Sequence, residues 1–247
     1  MNPLSRIAKE GYMKKIFLAL FIVMLCETSF AQDSLSTANF DSPKPKRNSF
    51  YLNTGIGFGY TSIYFDHRYD SDKIKYDGSA FGFAGELTMG LLIKGFVAVH
   101  GSFEFLSLDG KYDLGKVKKN YASDEIDDFA FLGGVGATVY PFLSSSKSFF
   151  QEVFFSAKFD LGLILINDPF SDYSGRSLKH SDYFVFGVDL ETGKDWQISE
   201  RFFIGVGLKW QLLSIISSNE VHDVDSKTPE HKHLVNSIQL VLRFNRK

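Results

Sequence analysis

Cysteine, proline and long hydrophobic runs are all scarce in this 247-residue chain. It contains one cysteine, Cys26, and six prolines. A single cysteine has no partner in the chain, so no internal disulfide can stabilise the fold. The apolar run at residues 16–25 has ten residues, whereas a membrane-spanning helix needs about 20. With a mean hydropathy of -0.07, the chain is not a bundle of membrane helices.

A large charge of one sign is also absent. Lysine and arginine together number 27 and aspartate and glutamate 29, which gives a formal net charge of -2. A protein that binds nucleic acid by neutralising phosphates needs an excess of basic residues. We therefore expect no nucleic-acid partner, and no motif in the sequence indicates a cofactor.

Phenylalanine and glycine, by contrast, are abundant, at 26 and 21 residues. They alternate in the segment 202–213, FFIGVGLKWQLL, where the even positions are apolar and positions 205, 207, 209 and 211 are glycine, lysine or glutamine. A period of two indicates a β-strand, because successive side chains point to opposite faces. An apolar face opposite a small or polar one is typical of strands in an outer-membrane barrel, where the apolar face meets lipid.

Eight segments of the chain share this alternation. Their lengths suit strands that cross a bilayer at a tilt, and long polar loops alternate with short turns, as in outer-membrane barrels. The sequence therefore predicts an all-β fold, an eight-stranded antiparallel up-and-down transmembrane β-barrel with both ends in the periplasm. The segments are 50–62, 80–92, 96–108, 129–140, 153–166, 182–192, 202–213 and 233–244. The long loops are 66–77, 109–128, 167–181 and 217–232, and the short turns are 94–95, 141–148 and 195–200.

A soluble lipocalin-like barrel is the main alternative fold. In soluble β-structures that pack face to face, bulky side chains fill the inner faces. Here the face opposite the aromatic residues carries glycine, alanine, serine and charged residues, and we expect that such a face cannot form a dry core. A barrel with lipid on its outside fits the pattern better.

The N-terminal residues indicate export. Met13-Lys14-Lys15 places positive charge before the apolar run, and Ser29-Phe30-Ala31 is typical of a signal-peptide cleavage site. The sequence predicts a signal peptide at residues 1–31 (with Met13 as a candidate true start), a flexible periplasmic lead-in at 32–48 and an outer-membrane barrel at 49–247. The predicted location is the cell outer membrane.

Residues 187–207, GVDLETGKDWQISERFFIGVG, resemble a hairpin common to small bacterial outer-membrane barrels. Together with the signal and the eight alternating segments, they make the chain similar to the family of the OmpA membrane domain and OmpX. The resemblance implies the eight-stranded fold and, as partners, outer-membrane lipid, lipopolysaccharide and the barrel-assembly machinery during insertion. It does not imply one activity, since this architecture has structural, adhesive and enzymatic members.

Charged and polar residues fall on the predicted lumen face. The bore of an eight-stranded barrel is just wide enough for side chains to fill, and an isolated buried ion is costly, so these charges must pair. We interpret them as one structural network that plugs the lumen; a proton or ion path is the alternative. The residues are Glu86, His100, Glu104, Lys158, Asp160, Asp189, Glu191, Lys209 and Arg243.

Three other groups could carry chemistry, and each has a simpler interpretation. His180-Ser181-Asp182 contains the three residue types of a Ser-His-Asp catalytic triad. Sequence neighbours on one strand point to opposite faces, so these residues cannot form a proton relay, and no catalytic residue is assigned. The histidines and aspartates of the last loop (His222, Asp223, Asp225, His231 and His233) could bind a metal, but we expect a solvated loop and no metal. Lys116, Lys118 and Lys119, followed by Asp124, Glu125, Asp127 and Asp128, are read as a solvated loop, with a lipopolysaccharide or protein contact as the alternative.

The resulting functional hypothesis is a non-enzymatic, monomeric outer-membrane barrel with a structural or adhesive role, presenting loops at the surface. Two alternatives remain open, a lipid-modifying barrel enzyme of the acyltransferase or deacylase type and a narrow pore. Trp196 and Trp210 are expected at the membrane interfaces.

Overall fold

The computed structural model describes residues 48–69, 72–113, 125–142, 151–166, 181–218 and 232–247. In this part of the chain all regular structure is β-strand, and no helix there is long and apolar enough to cross a membrane. The strands are β1 (Ser49–Tyr69), β2 (Asp72–Ile93), β3 (Val97–Asp113), β4 (Glu125–Val139), β5 (Val153–Ile166), β6 (Ser181–Gln197), β7 (Phe202–Ser218) and β8 (Lys232–Arg246).

Each strand pairs with the next in antiparallel fashion, and β8 pairs with β1 to close the barrel. We start at Tyr60 on β1 and follow directly paired residues through β8, β7 and each preceding strand to β2. This path returns to β1 at Phe50, so the stagger of the barrel is ten residues. For eight strands this stagger corresponds to a strand tilt of about 43°. The predicted fold class and strand number are confirmed.

The outer face of the barrel is a belt of exposed apolar side chains. Phe81 is 75% exposed and Val135 66%. On β1 the belt runs from Phe50 to Tyr60, which at this tilt is a height of about 24 Å, close to the apolar band of an outer-membrane barrel. Beyond Tyr60 the next outward residue is the exposed Ser62. The belt therefore has the height and the polar border that a bilayer requires.

The tightest connection is the turn between β2 and β3. Lys94 and Gly95 both have positive φ, 51° and 71°, and the Phe96 amide donates to the Ile93 carbonyl at 2.9 Å. Positive φ at both central residues defines a type I′ turn, whose twist matches that of the flanking strands. The predicted tight turn at Lys94-Gly95 is confirmed.

Four predicted connections were wrong in extent, including 195–200, into which β6 continues as far as Gln197. Residues 66–77 were expected to form a loop, but β1 and β2 continue through them to Tyr69 and Asp72. Residues 109–128 are shortened in the same way, since β3 ends at Asp113 and β4 begins at Glu125. Outside the membrane a strand still needs a hydrogen-bonded neighbouring strand, but it needs no apolar face. The alternation of apolar side chains therefore ends before the strand pairing ends. The turn expected at 141–148 belongs to a longer connection between β4 and β5, from 140 to 152.

The interior is packed in three layers: an apolar layer towards the long connections, a charged layer in the middle, and a layer towards the short connections that combines aromatic residues with ion pairs. Towards the long connections, the inner face forms an apolar cluster, which contradicts the expectation that this face cannot make a dry core. The cluster contains Ile63, Ala80, Ala84, Leu106, Leu108, Ile126, Ala130, Leu132, Ile164, Ile166, Tyr183, Val185, Leu213 and Val235. At the opposite end, Tyr51, Leu92, Ala98, Tyr140 and Phe154 form a second cluster. The isoleucine, leucine and valine side chains of the first cluster were overlooked because, within the predicted segments, the inward positions are mostly glycine, alanine, serine and charged residues.

Candidate functional site

The middle layer of the lumen is centred on two lysine ammonium groups. Lys158 Nζ lies 2.9 Å from Glu86, 3.0 Å from Asp189 and 3.4 Å from Glu104. Lys209 Nζ lies 2.6 Å from Glu104, 3.3 Å from Glu86 and 3.5 Å from Asp189. Each ammonium group therefore contacts all three carboxylates, and the five residues form one compact cluster, called here the central cluster.

Strand register explains how these residues meet. Glu86 on β2 is directly opposite Glu104 on β3, and Lys158 on β5 is opposite Asp189 on β6. The two glutamates carry like charges on neighbouring strands and would repel each other. Lys209 reaches across from β7 and, with Lys158, compensates that repulsion.

Neutral donors complete the central cluster. The Thr88 hydroxyl donates to Glu86 Oε1 at 2.7 Å, and the Gln211 amide donates to Glu104 Oε1 at 3.3 Å. Glu104 is 0% exposed and Lys209 1%. Buried charges are tolerated when they are paired and hydrogen-bonded, and this cluster meets both conditions for Glu86 and Glu104.

A second group of charges lies nearer the short connections and is organised by Arg243. Its guanidinium lies 2.8 Å from Glu191 and 3.8 Å from Asp195, and it donates to the Tyr51 hydroxyl at 2.9 Å. Its carbon Cζ lies 3.9 Å from the centre of the Phe154 ring. Arginine suits such a site, because its planar group can stack on a ring and donate in several directions at once.

Below Arg243, Lys247 covers the end of the lumen. Its ammonium group lies 2.7 Å from Glu152 and 2.9 Å from Asp195, and 3.6 Å from the centre of the Tyr140 ring. Burial lowers the pKa of Lys247, while Asp195 and Glu152 act in the opposite direction. Tyr140 donates its hydroxyl hydrogen to Asp195 at 3.1 Å. Asp195 therefore links the guanidinium group of Arg243 to the ammonium group of Lys247.

The structure thus divides the predicted lumen residues. Glu86, Glu104, Lys158, Asp189 and Lys209 form the central cluster, and Glu191 and Arg243 belong to the second group. His100 lies apart: its Nε2 is 2.9 Å from the Thr138 hydroxyl, which donates to Ser156 at 2.9 Å. Asp160 is fully buried, and neither of its carboxylate oxygens has a hydrogen-bond partner in the described part of the chain.

Sequence reasoning missed Asp195, which lies at the centre of the second group. The signal was present, because Asp189, Glu191 and Asp195 all occupy odd positions of β6. It was overlooked because residues 195–200 were assigned to a turn, whereas β6 continues to Gln197.

One carboxylate trio has the geometry of a metal site. Carboxylate oxygens of Glu86, Glu104 and Asp189 all lie within 4.8 Å of one another. Both lysine ammonium groups lie within 3.5 Å of each of these residues. The positive charge that a divalent cation would supply is therefore already provided by the protein.

The remaining candidates lie mostly outside the described residues. These are Lys116, Lys118, Lys119, Asp124, His180, His222, Asp223, Asp225 and His231. Ser181 and Asp182 begin β6, and His233 lies in β8. Glu125, Asp127 and Asp128 lie in β4, and Asp128 is fully buried, so the interpretation as a solvated loop was wrong for these three residues. Trp196 is exposed on the outer face, and the Trp210 indole, also outward, donates to Asn236 at 2.7 Å.

Solved structures similar to this chain are bacterial outer-membrane proteins, at low identity. Neisserial surface protein A is 15% identical, with a TM-score of 0.39, over 79% of this chain and 97% of its own. OprG from Pseudomonas aeruginosa is 10% identical, with a TM-score of 0.40, over 78% and 95%. The outer membrane protease OmpT from Escherichia coli is 8% identical, with a TM-score of 0.36, over 86% and 99%. No family model and no curated protein matches the sequence.

The closed strand order and the apolar belt decide the class. The chain is an eight-stranded outer-membrane β-barrel. Its exposed outer side chains are aliphatic and aromatic over a height of about 24 Å, and the two groups of paired charges lie inside the barrel. Its location is the cell outer membrane.

Proposed function

We propose that the protein is a non-enzymatic outer-membrane barrel with a closed lumen, which presents the connections β1–β2, β3–β4, β5–β6 and β7–β8 at the cell surface. Its role is structural or adhesive. The observation that supports this most directly is the packing of the lumen at three levels. Leu108 and Ile164 are fully buried at the end of the lumen that faces the cell exterior, Lys209 is buried in the middle, and Arg243 is buried near the periplasmic end.

A narrow pore is less well supported, because the charged side chains are engaged with each other. A conducting path would need mobile charges around a water-filled space. Lys158 and Lys209 each make three ion pairs within 3.5 Å. Opening a path between them would separate buried charges, at a cost of about 3–5 kcal/mol for each partner left alone.

An enzyme is also less well supported. A hydroxyl nucleophile needs a base within hydrogen-bond reach, oriented by a third group. His100, Thr138 and Ser156 form a hydrogen-bonded chain, but the other ring nitrogen of His100 has no hydrogen-bond partner in the described residues. These residues also face the lumen, where a lipid substrate has no access.

Electrical recording tests the closed lumen. We expect the purified barrel to show no conductance in planar bilayers. We also expect the same sample, incubated with vesicles, to release no fatty acid from phospholipid or lipopolysaccharide. A boiled sample serves as the control for contaminating channels. A steady ohmic conductance from the folded barrel, absent from the boiled control, would refute the closed lumen, and acyl release would refute the non-enzymatic assignment.

Epitope tags test which end faces outward. A tag inserted between residues 219 and 231, in the β7–β8 connection, should be labelled by antibody on intact cells. A tag in the short β6–β7 connection, within 198–201, should be labelled only after the outer membrane is permeabilised. The reverse labelling pattern would place the long connections in the periplasm and contradict the proposal.

The route to this location follows from the same proposal. We expect residues 1–31 to be removed as a signal peptide, leaving Gln32 as the first residue, and 32–48 to remain as a periplasmic lead-in. Lipid and lipopolysaccharide are then the surroundings of a monomer inserted by the barrel-assembly machinery. N-terminal sequencing of the membrane fraction checks the cleavage, and retention of residues 1–31 would contradict it.

A further inference from the structure

A cage for an ammonium group lies at the end of the barrel that carries the short connections, and Lys247 occupies it. Its ammonium nitrogen lies 3.6 Å from the centre of the Tyr140 ring and 4.3 Å from that of the Phe203 ring. The same atom lies 2.7 Å from a Glu152 oxygen and 2.9 Å from an Asp195 oxygen. Two aromatic rings and two carboxylates therefore surround one positive charge, and these four residues are called here the ammonium cage.

The walls of the ammonium cage are held by contacts that do not involve its occupant. The Tyr140 amide donates to the Phe96 carbonyl at 2.8 Å, and the Asp195 amide donates to the Glu152 carbonyl at 3.0 Å. Phe203 belongs to β7 and is paired on both sides, with β6 and with β8. The strands and their connections therefore form the cage, and its shape does not depend on the group that it holds.

Lys247, by contrast, lies outside the strand ladder. β8 ends at Arg246, which is paired with Leu52 on β1 and with Phe202 on β7. The Lys247 amide donates to the Arg201 carbonyl at 3.1 Å. The ammonium group can therefore leave the cage by rotation of the Lys247 side chain, with every strand pair intact.

Without an ammonium group the cage has an excess of negative charge. Arg243 lies 3.8 Å from Asp195, but its shorter contact, at 2.8 Å, is with Glu191. Asp195 is 1% exposed, and a buried carboxylate that loses a cationic partner is costly. The cage therefore attracts another cation when Lys247 withdraws.

We propose that the ammonium cage is a binding site for the primary ammonium group of a soluble ligand, and that Lys247 is an internal ligand that competes for it. Aromatic ring faces attract organic cations, and an ammonium group has more than one hydrogen-bond donor to share between two carboxylates. Divalent metal ions bind through about six or more oxygen ligands, and ring faces supply none. The Glu152 side chain is 15% exposed, which gives the cage access to solvent.

The tether of Lys247 sets the threshold for such a ligand. A group held beside its site by a short flexible link competes at an effective concentration in the millimolar range. In the natural protein a simple amine is therefore excluded, and only a ligand with further contacts to the barrel displaces Lys247.

Removal of the internal ligand tests the proposal. Lys247→Ala leaves the cage walls in place, and n-butylammonium chloride is the probe, because it carries the same alkyl chain and ammonium group as a lysine side chain. Arg246→Ala is the matched control, since it removes a neighbouring positive charge that lies 6.0 Å from the Phe202 ring and outside the cage. Each protein is folded into detergent micelles, which leave both ends of the barrel accessible, and the temperature of half-unfolding is read from gel migration.

We expect Lys247→Ala to unfold at a lower temperature than the natural protein, and n-butylammonium to raise that temperature until the effect saturates. The amine should leave the natural protein and Arg246→Ala unchanged, because Lys247 occupies the cage in both. No shift for Lys247→Ala, or the same shift in all three proteins, would overturn the proposal. An equal shift with sodium or calcium chloride at the same ionic strength would also overturn it, because the cage would then accept any cation.

A change in one wall establishes whether the response comes from the cage. Glu152→Gln in the Lys247→Ala background removes one charged hydrogen bond to the amine, so half of the shift should require about tenfold more n-butylammonium. The same concentration dependence with and without Glu152→Gln would place the amine elsewhere and refute the assignment. If Lys247→Ala does not fold, folding is repeated with the amine present: recovery supports the proposal, and failure contradicts it.

Discussion

The ammonium group of Lys209 lies 2.6 Å from the Oε1 atom of Glu104, although 105 residues separate them in the sequence. Lys209 is on β7 and Glu104 on β3, which are not neighbours in the sheet. The contact therefore crosses the lumen and forms when the sheet closes. It links the two walls of the barrel through charge as well as through the strand ladder.

Removing one partner of this pair should destabilise the barrel strongly. Lys209→Met leaves Glu104 short of a compensating charge, and we expect a loss of about 3–5 kcal/mol in the free energy of unfolding. Lys209→Met/Glu104→Gln should lose less than the sum of the two single variants, because the contact is then removed with both partners. Urea titrations followed by gel migration in vesicles measure this, with the exposed Lys111→Met as a control expected to change stability by less than about 0.5 kcal/mol. Strict additivity would show that the pair is not coupled.

The alternation of side chains made the strands and their faces predictable from the sequence. The alternation of odd and even positions predicts that Lys209 faces the lumen and Leu208 the lipid. In the structure Lys209 is 1% exposed and Leu208 is 55% exposed. Which lumen charges meet could not be predicted. The odd and even positions place Asp160 on the same face as Lys158. The pairing of Lys158 on β5 with Glu86 on β2, three strands away in the barrel, depends on the stagger of the closed sheet. That stagger is a property of all eight strands together and is not encoded in any one segment.

A charge on the lipid face should act through depth in the membrane. Leu208 points outward on β7, two residues below the belt residue Trp210. Leu208→Arg should cost about 2–4 kcal/mol in folding into vesicles, whereas Ser62→Arg, also outward but beyond Tyr60, should cost at most about 1 kcal/mol. Folding yields into vesicles over a urea series measure both. Similar costs for the two variants would mean that the belt is not the membrane-embedded surface.

The Arg243 site should discriminate between two basic residues. A lysine at this position keeps the positive charge but cannot stack on Phe154 while also donating to Tyr51 and Glu191. We expect Arg243→Lys to lower the free energy of unfolding by about 1–3 kcal/mol, as for a charged hydrogen bond lost in a buried site. Arg246→Lys is the matched control, since Arg246 is only partly buried and lies 6.0 Å from the Phe202 ring. If both variants unfold at the same urea concentration, the contacts of Arg243 add nothing beyond its charge.

Two glycines on adjacent strands should respond differently to replacement by alanine. A Cβ atom at Gly162 on β5 would collide with the Phe131 carbonyl oxygen and lie 2.9 Å from Leu132 Cα. Both of these are backbone atoms of β4, so the strand pair itself must shift, and we expect Gly162→Ala to destabilise the barrel by about 1–3 kcal/mol. Gly133 on β4 has space for a Cβ atom, and alanine there also reduces the conformational freedom of the unfolded chain. Gly133→Ala should therefore be neutral or stabilise the barrel by up to about 1 kcal/mol. Urea midpoints of the two variants, measured side by side in the same vesicles, test the difference, and a loss of stability in Gly133→Ala as large as that in Gly162→Ala would contradict the packing described here.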